Sequence, residues 1–164
     1  MFRFFIAAAI GMMAALPVAA QTLERTPNAV ASIGREFGSA FVDQVQPGDL
    51  PSVSGTIDGV NYAILFYGCE AGDVGCDSLQ FFASFDAPDN SLDFVNQWNF
   101  DRRFAAVYRR TDGVLVINYN VNIDFGVTQQ NFRDTYDIWS ILLTEFADRV
   151  FGPSTGGGGT SPGK

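Results

Sequence analysis

The chain has 164 residues, of which 47% are hydrophobic and only 17% charged, and its 18 acids against 10 bases give a formal charge of −8. That content supports one domain with a core of its own, and the acidic balance disfavours phosphate backbones and anionic lipid surfaces as partners. Histidine is absent, which removes the commonest general base, the commonest zinc ligand and the usual partner of a catalytic Ser or Cys.

The first twenty residues, "MFRFFIAAAIGMMAALPVAA", carry one early cation, Arg3, then an apolar run from Phe4 to Leu16, and end with small residues at Val18 and Ala20. This is the pattern of a secretory signal peptide. A membrane helix is disfavoured because the run is too short to cross a bilayer and polar sequence follows at once. No cysteine lies at the cleavage point, which disfavours a lipid anchor. The mature chain is expected to begin at Gln21 and to reside in the periplasm, its charge balance made more negative by the loss of Arg3. Residues 21–152 read as a single domain.

Thr26-Pro27 opens a helix, with Thr as cap and Pro at the first helical position. Val30, Ile33 and Phe37 share one face, and Gly38 suits the stop. "FVDQV", Phe41 to Val45, alternates as a short strand does, and "QPGDLP" reads as a turn. "SVSGTI", Asp58-Gly59 and "VNYAILFYG" form a hairpin. Its second arm is apolar on both faces around Ile64, Leu65 and Phe66, which predicts a central strand covered at least partly on both sides. "CEAGDVGC" interrupts, and "DSLQFFASF" resumes with Leu79, Phe81, Ala83 and Phe85 on one face.

Asn90 or Ser91 can cap a helix running to about Arg103, with Asp93 favourably placed near its start. A second hairpin turns at Asp112-Gly113. On its return arm Ile117, Tyr119, Val121, Ile123 and Phe125 point one way, while Asn118, Asn120, Asn122 and Asp124 point the other, so one face of the sheet is wet or meets something polar. Thr128 caps a long amphipathic helix whose stripe is Phe132, Tyr136, Trp139, Leu143, Phe146 and Val150. The tail, residues 153–164, is rich in Gly, Ser and Pro, has no apolar residue to bury, and is expected to be disordered. The predicted fold class is α+β: an antiparallel sheet of about five to six strands with helices packed on one face, in the order α-β-β-β-(β)-α-β-β-α.

Cys69 and Cys76 are the only cysteines. A reactive pair favours C-x-x-C at a helix start, and a metal clip needs further Cys or His ligands that the chain lacks. In an oxidising compartment the pair is expected to be a disulfide across a hairpin, worth about 2.5 kcal/mol for an eight-residue loop. No metal or cofactor is expected. Asp86, Asp89, Asn90 and Asp93 lack the alternating spacing of a calcium loop, and helix capping accounts for Asn90 and Asp93. Two candidate recognition surfaces remain. One is the amide row Asn118, Asn120 and Asn122, which is otherwise the solvated side of a strand. The other is Asn96, Trp98 and Asn99 with Arg102 and Arg103, where Asn is a poor helix former better explained by side chains bonding to backbone.

The segments "GVNYAILFYGC", "CDSLQFFASF", "VNQWNFDRRFAAVY" and "FGVTQQNFRDTYDIW", in that order, resemble the YbjN-domain family, described as bacterial sensory transduction regulators. Asn96, Trp98 and Asn99 with Arg103 and Phe104 are the most specific part, and the Cys pair is similar to that of exported members. The resemblance implies a fold like that of type III secretion chaperones, which are often dimeric, with no catalytic residues and no cofactor. Two functions follow as expectations. The first is a non-catalytic, exported protein-binding or chaperone-like module, which would use the exposed sheet face or an apolar groove beside Trp98. The second is a periplasmic enzyme with a carboxylate site acting on cell-wall or other sugars, which requires two acids facing one another in a cleft. A protein or peptide partner, no nucleic acid and no membrane span after cleavage complete the reading.

Overall fold

A computed structural model describes residues 20–46, 48–87 and 91–152. The expected leader up to residue 19, Asp89 and Asn90, and the expected tail lie outside the described residues. The elements are α1 (Pro27–Gly34), β1 (Ser39–Val42), β2 (Ser52–Ile57), β3 (Val60–Tyr67), β4 (Ser78–Phe85), α2 (Leu92–Asp101), β5 (Ala106–Arg109), β6 (Leu115–Asn122) and α3 (Gln129–Phe151). The fold is α+β, in the order α-β-β-β-β-α-β-β-α, with every strand pair antiparallel.

The sheet order is β1-β2-β3-β4-β6-β5. Hairpins join β2 to β3 and β5 to β6. Asp58 and Gly59 both take positive φ, 49° and 82°, as a tight two-residue hairpin turn requires. The chain leaves the sheet after β4, forms α2, and returns through the edge strand β5 so that β6 pairs with β4 over eight residues, from Ser78↔Asn122 to Phe85↔Leu115.

All three helices lie on one side. Thr26, Ser91 and Thr128 cap them, each accepting a hydrogen bond from the backbone N–H three residues on, which satisfies an otherwise unpaired donor. The apolar stripe of α3 runs across β2, β3, β4 and β6. Phe132, Tyr136, Trp139, Leu143 and Phe146 are fully buried there against Ile64, Phe66, Phe81, Leu79 and Ile117. Phe81 is the hub, with Tyr136, Trp139 and Phe132 rings 5.1, 5.6 and 6.2 Å away. A side chain at Gly34 would put its Cβ 2.4 Å from the Tyr136 hydroxyl and 2.8 Å from the Ala40 Cβ, so glycine is what lets α1 approach α3 and β1 so closely.

Four expectations need correcting. The first helix stops at Gly34, with Arg35 as its C-cap. Phe37 reaches the core from the following turn, stacking on Tyr136 at 5.3 Å, and Gly38 is not the stop. The first strand is Ser39–Val42, not Phe41 to Val45. The central strand β3 is helix-covered on one side only: Ala63, Leu65 and Tyr67, on the other, are half-buried by their neighbours within the sheet. Phe125 does not continue the inward row of β6. Its φ is 61°, it is 98% exposed, and the strand has already ended at Asn122, where the Asn122 side chain accepts a hydrogen bond from the Asp124 N–H (2.8 Å) and turns the chain.

Cys69 and Cys76 form a disulfide, with sulfurs 2.14 Å apart, closing the loop between β3 and β4. Cys76 is fully buried. The register resumes at once, as the Asp77 N–H donates to the Tyr67 carbonyl (2.9 Å). Beside it the Arg25 guanidinium bonds the Cys76 carbonyl (3.3 Å), Asp77 (3.3 Å) and Asp124 (2.7 Å), tying the N-terminal segment to this end of the sheet.

Candidate functional site

The residues singled out around Trp98 fall into structural and exposed groups. Trp98 is 1% exposed, its ring 4.9 Å from Phe146 and beneath the guanidiniums of Arg102 (5.7 Å) and Arg149 (5.3 Å). Those two arginines converge on Glu145, closing the site where an apolar groove was expected. Asn99 uses its whole amide on the neighbouring strand: it accepts from the Val107 N–H (2.8 Å) and donates to the Val107 carbonyl (2.9 Å). This pins α2 to β5 and explains an asparagine late in a helix. Asn96 is exposed. Arg103 lies over the Phe104 ring at 5.1 Å. Phe104 has φ of 72° and is 54% exposed, its ring 6.0 Å from Tyr119 at the sheet's edge. Ser91 caps α2 and Asp93 lies in its first turn.

The third group, the amides of β6, belongs to a larger feature. Strand alternation turns Ser52, Ser54 and Thr56 of β2 away from the helices. Asn61, Ala63, Leu65 and Tyr67 of β3, Ser78, Gln80, Phe82 and Ser84 of β4, and Val116, Asn118, Asn120 and Asn122 of β6 turn the same way. Phe41 at one edge, 64% exposed, and Tyr108 at the other, 47% exposed, extend the row. Not one of these residues is charged. They are aromatics, small aliphatics, hydroxyls and amides.

The amides are organised across the strands. Gln80 donates to Asn120 (2.9 Å) and accepts from the Tyr67 hydroxyl (3.4 Å), a polar line over β3, β4 and β6. Asn118 sits between Phe82 and Ala106, and its Oδ1 is buried without a hydrogen-bond partner. At the β2 side the Asp43 carboxylate accepts from Ser52 and Ser54, both at 2.6 Å, and marks the acidic rim of the neutral area. The sequence reading found the amides of β6 but missed Leu65, Tyr67, Phe82 and Tyr108 as their neighbours. The signal is present in β3 as apolar residues at both parities, which by itself implies only that the strand is covered at least partly on both sides.

The buried phenols are held protonated at neutral pH. Tyr62 and Tyr136 hydroxyls lie 3.2 Å apart in the core, and burial pushes both pKa values up, that of Tyr136 well above its ordinary value of 10.0. Burial, with a smaller contribution from Asp134, also raises Tyr119. The displaced carboxylates are Glu36, held down by its hydrogen bond to Arg133, and Glu145, held down by that to Arg102. A general acid needs the opposite shift. Asp58 and Asp86 share the rim of an open pocket of about 320 Å³, lined also by Phe85 and Phe151. Among the described residues no group of three acids or cysteines is placed to hold a metal ion, and no helix is long and apolar enough to cross a membrane.

An aromatic core covered by helices on one side of an antiparallel sheet, with the other side open, defines a small α+β domain. The YbjN family model, whose description reads "Putative bacterial sensory transduction regulator", matches residues 26–152, and the chain belongs to that family. Neither a curated protein nor a solved structure matches it.

Proposed function

We propose that the chain is an exported, non-catalytic binding module that holds a segment of partner protein on the open face of its sheet, in the regulatory role its family's description names. The observation that carries this reading is the absence of charge from the middle of that face, Asp43 lying at its rim. Where stability alone decides, the solvated side of a sheet takes charged residues freely. The centres of protein interfaces are instead depleted of charge and enriched in aromatics. Phe82, Leu65, Tyr67 and Tyr108 supply the apolar area, and the Tyr67–Gln80–Asn120 line supplies donors and acceptors that fix orientation.

Export to the periplasm is supported by the leader pattern of residues 1–20 and by the disulfide, which persists in oxidising compartments. A second copy of the chain would satisfy the same face and give the dimer expected from the family resemblance.

The test is a photo-crosslinking amino acid placed at Phe82 and, in a separate variant, at Ile141 on the outer side of α3, 56% exposed. Crosslinking in the periplasm from position 82 and not from 141 supports the reading. A product of twice the chain's mass identifies a second copy as the occupant. Equal crosslinking from both positions, or from 141 alone, overturns the open face as the site.

A further inference from the structure

Chain residues just past the expected cleavage point are tied into the fold by backbone bonds. The Gln129 N–H, the first in α3, donates to the Gln21 carbonyl (2.8 Å), and the Leu23 N–H donates to the Val127 carbonyl (2.8 Å). Thr22 bridges Thr128, the cap residue of α3. Leu23 is then 3% exposed within the core. Gln21 itself is exposed, and neither its backbone nitrogen nor its carboxamide has a hydrogen-bond partner among the described residues.

We infer that Gln21, once it is the N-terminal residue, is converted to pyroglutamate; the inference rests on the proposed export and on cleavage of the leader after Ala20. An N-terminal glutamine carries nucleophile and electrophile in one residue. The α-amine nitrogen attacks the side-chain Cδ, the new N–Cδ bond closes a five-membered lactam, and the Cδ–Nε2 bond breaks. Nε2 leaves as ammonia, taking up the proton lost by the amine. No electrons are transferred and no co-reactant is consumed. The fold leaves both reacting groups free while it holds the Gln21 carbonyl, which cyclisation does not touch, so the bond to Gln129 survives.

Two features of the site favour the neutral product. An α-ammonium at Gln21 would sit one residue's breadth from the first N–H groups of a 23-residue helix whose first turn holds no acid, and positive charge is unfavourable there. An open amine would also let an aminopeptidase remove Gln21 and Thr22, and with them the Gln129 bond and the bridge to Thr128 that keep Leu23 in the core. The lactam closes that route.

Intact-mass and N-terminal-peptide mass spectrometry of the full-length protein recovered from the periplasm tests this. The expected N-terminal peptide starts at residue 21, is lighter than its sequence by one ammonia, and does not react with an amine-labelling reagent. A peptide starting at Gln21 with a free, labelled amine leaves the cleavage reading standing and overturns the inference. A chain that starts elsewhere overturns the cleavage reading and the inference with it. A Gln21→Ala variant keeps the backbone bonds and cannot cyclise, so it should lose its first residues to a broad-specificity aminopeptidase while the native protein resists. Equal resistance of the two proteins overturns the protective role.

Discussion

The two faces of the one sheet have opposite histories of contact. On the covered face Tyr62, Ile64, Phe66, Leu79, Phe81, Phe85 and Ile117 are all at most 5% exposed, sealed by α3. On the other, Leu65, Tyr67, Gln80 and Phe82 remain partly open. The covered face and the middle of the open face are both free of charge, with Asp43 at the open face's rim, but for different reasons. Burial forbids unpaired charge on the covered face. Nothing about folding forbids it on the open face, in a chain whose acids outnumber its bases by 18 to 10. The contrast separates the requirements: the covered face specifies the fold, while the fold leaves the composition of the open face unexplained, which is what the proposed partner would account for.

Removing a keystone of the covered face should produce the largest effect. Trp139 is fully buried between Tyr62 and Phe81. Trp139→Ala should destabilise by about 3–5 kcal/mol in chemical denaturation, as should Trp98→Ala. Both indole N–H groups are buried without a hydrogen-bond partner, so Trp→Phe, which removes that donor along with some volume, should cost clearly less than Trp→Ala at either site. If Trp98→Ala instead unfolds normally but fails to crosslink its partner, Trp98 belongs to recognition and the division between the faces fails.

Titration gives a second probe of the covered face. Because burial raises the folded-state pKa values of Tyr62 and Tyr136, the stability they contribute is fully present below the ordinary tyrosine value of 10.0 and is lost as pH rises from there through the raised folded values. Unfolding free energy should therefore fall above pH 10 in the native protein, and fall less steeply in Tyr136→Phe. At the acid end the sign reverses. Glu145 is held below its ordinary 4.5 by Arg102, so its contribution is present above that value and drains away as pH falls through the depressed one. The pair is one-third exposed, and solvent keeps that second effect small.

Much of the covered face was legible in the sequence, because burial imposes a period. The α3 stripe, the alternation of Leu79 to Phe85 and the Asp58-Gly59 turn each follow from one local rule. The strand order was not legible. Only the sheet shows that β6 enters between β4 and β5, because that pairing is set by packing across α2 and not by any local pattern. The open face was half legible. Asn118, Asn120 and Asn122 announce an uncovered strand, but Ala63, Leu65, Tyr67 and Phe82 look the same in sequence whether a helix or a partner covers them. The same ambiguity affected the Asn-rich helix. Asn99→Ala, which strands the Val107 N–H and carbonyl, should cost about 1–3 kcal/mol, whereas Asn96→Ala should stay within about 0.5 kcal/mol. Equal costs would mean that the bidentate bond to β5 does not pin α2.

The smallest change in stability should come from the open face, and there it is the informative one. Asn120 is exposed and its one side-chain bond is to Gln80, so Asn120→Ala deletes a water-accessible contact and should shift the unfolding free energy by no more than about 0.5 kcal/mol. Phe82→Arg is the harsher test. Phe82 lies on β4 between Ala63 and Asn118, near the middle of the neutral area, and its ring is only partly buried. An arginine there can extend its head into solvent, so the fold should persist with normal near-UV circular dichroism. In the complex the same guanidinium would be buried against an uncharged surface with no carboxylate to pair with, a cost of several kcal/mol. Crosslinking from a probe at Tyr108 on the neighbouring edge should then be lost while the melting temperature barely moves. If both variants bind as the native protein does, the absence of charge has no bearing on recognition, and the edge strands β1 and β5 become the surfaces to test.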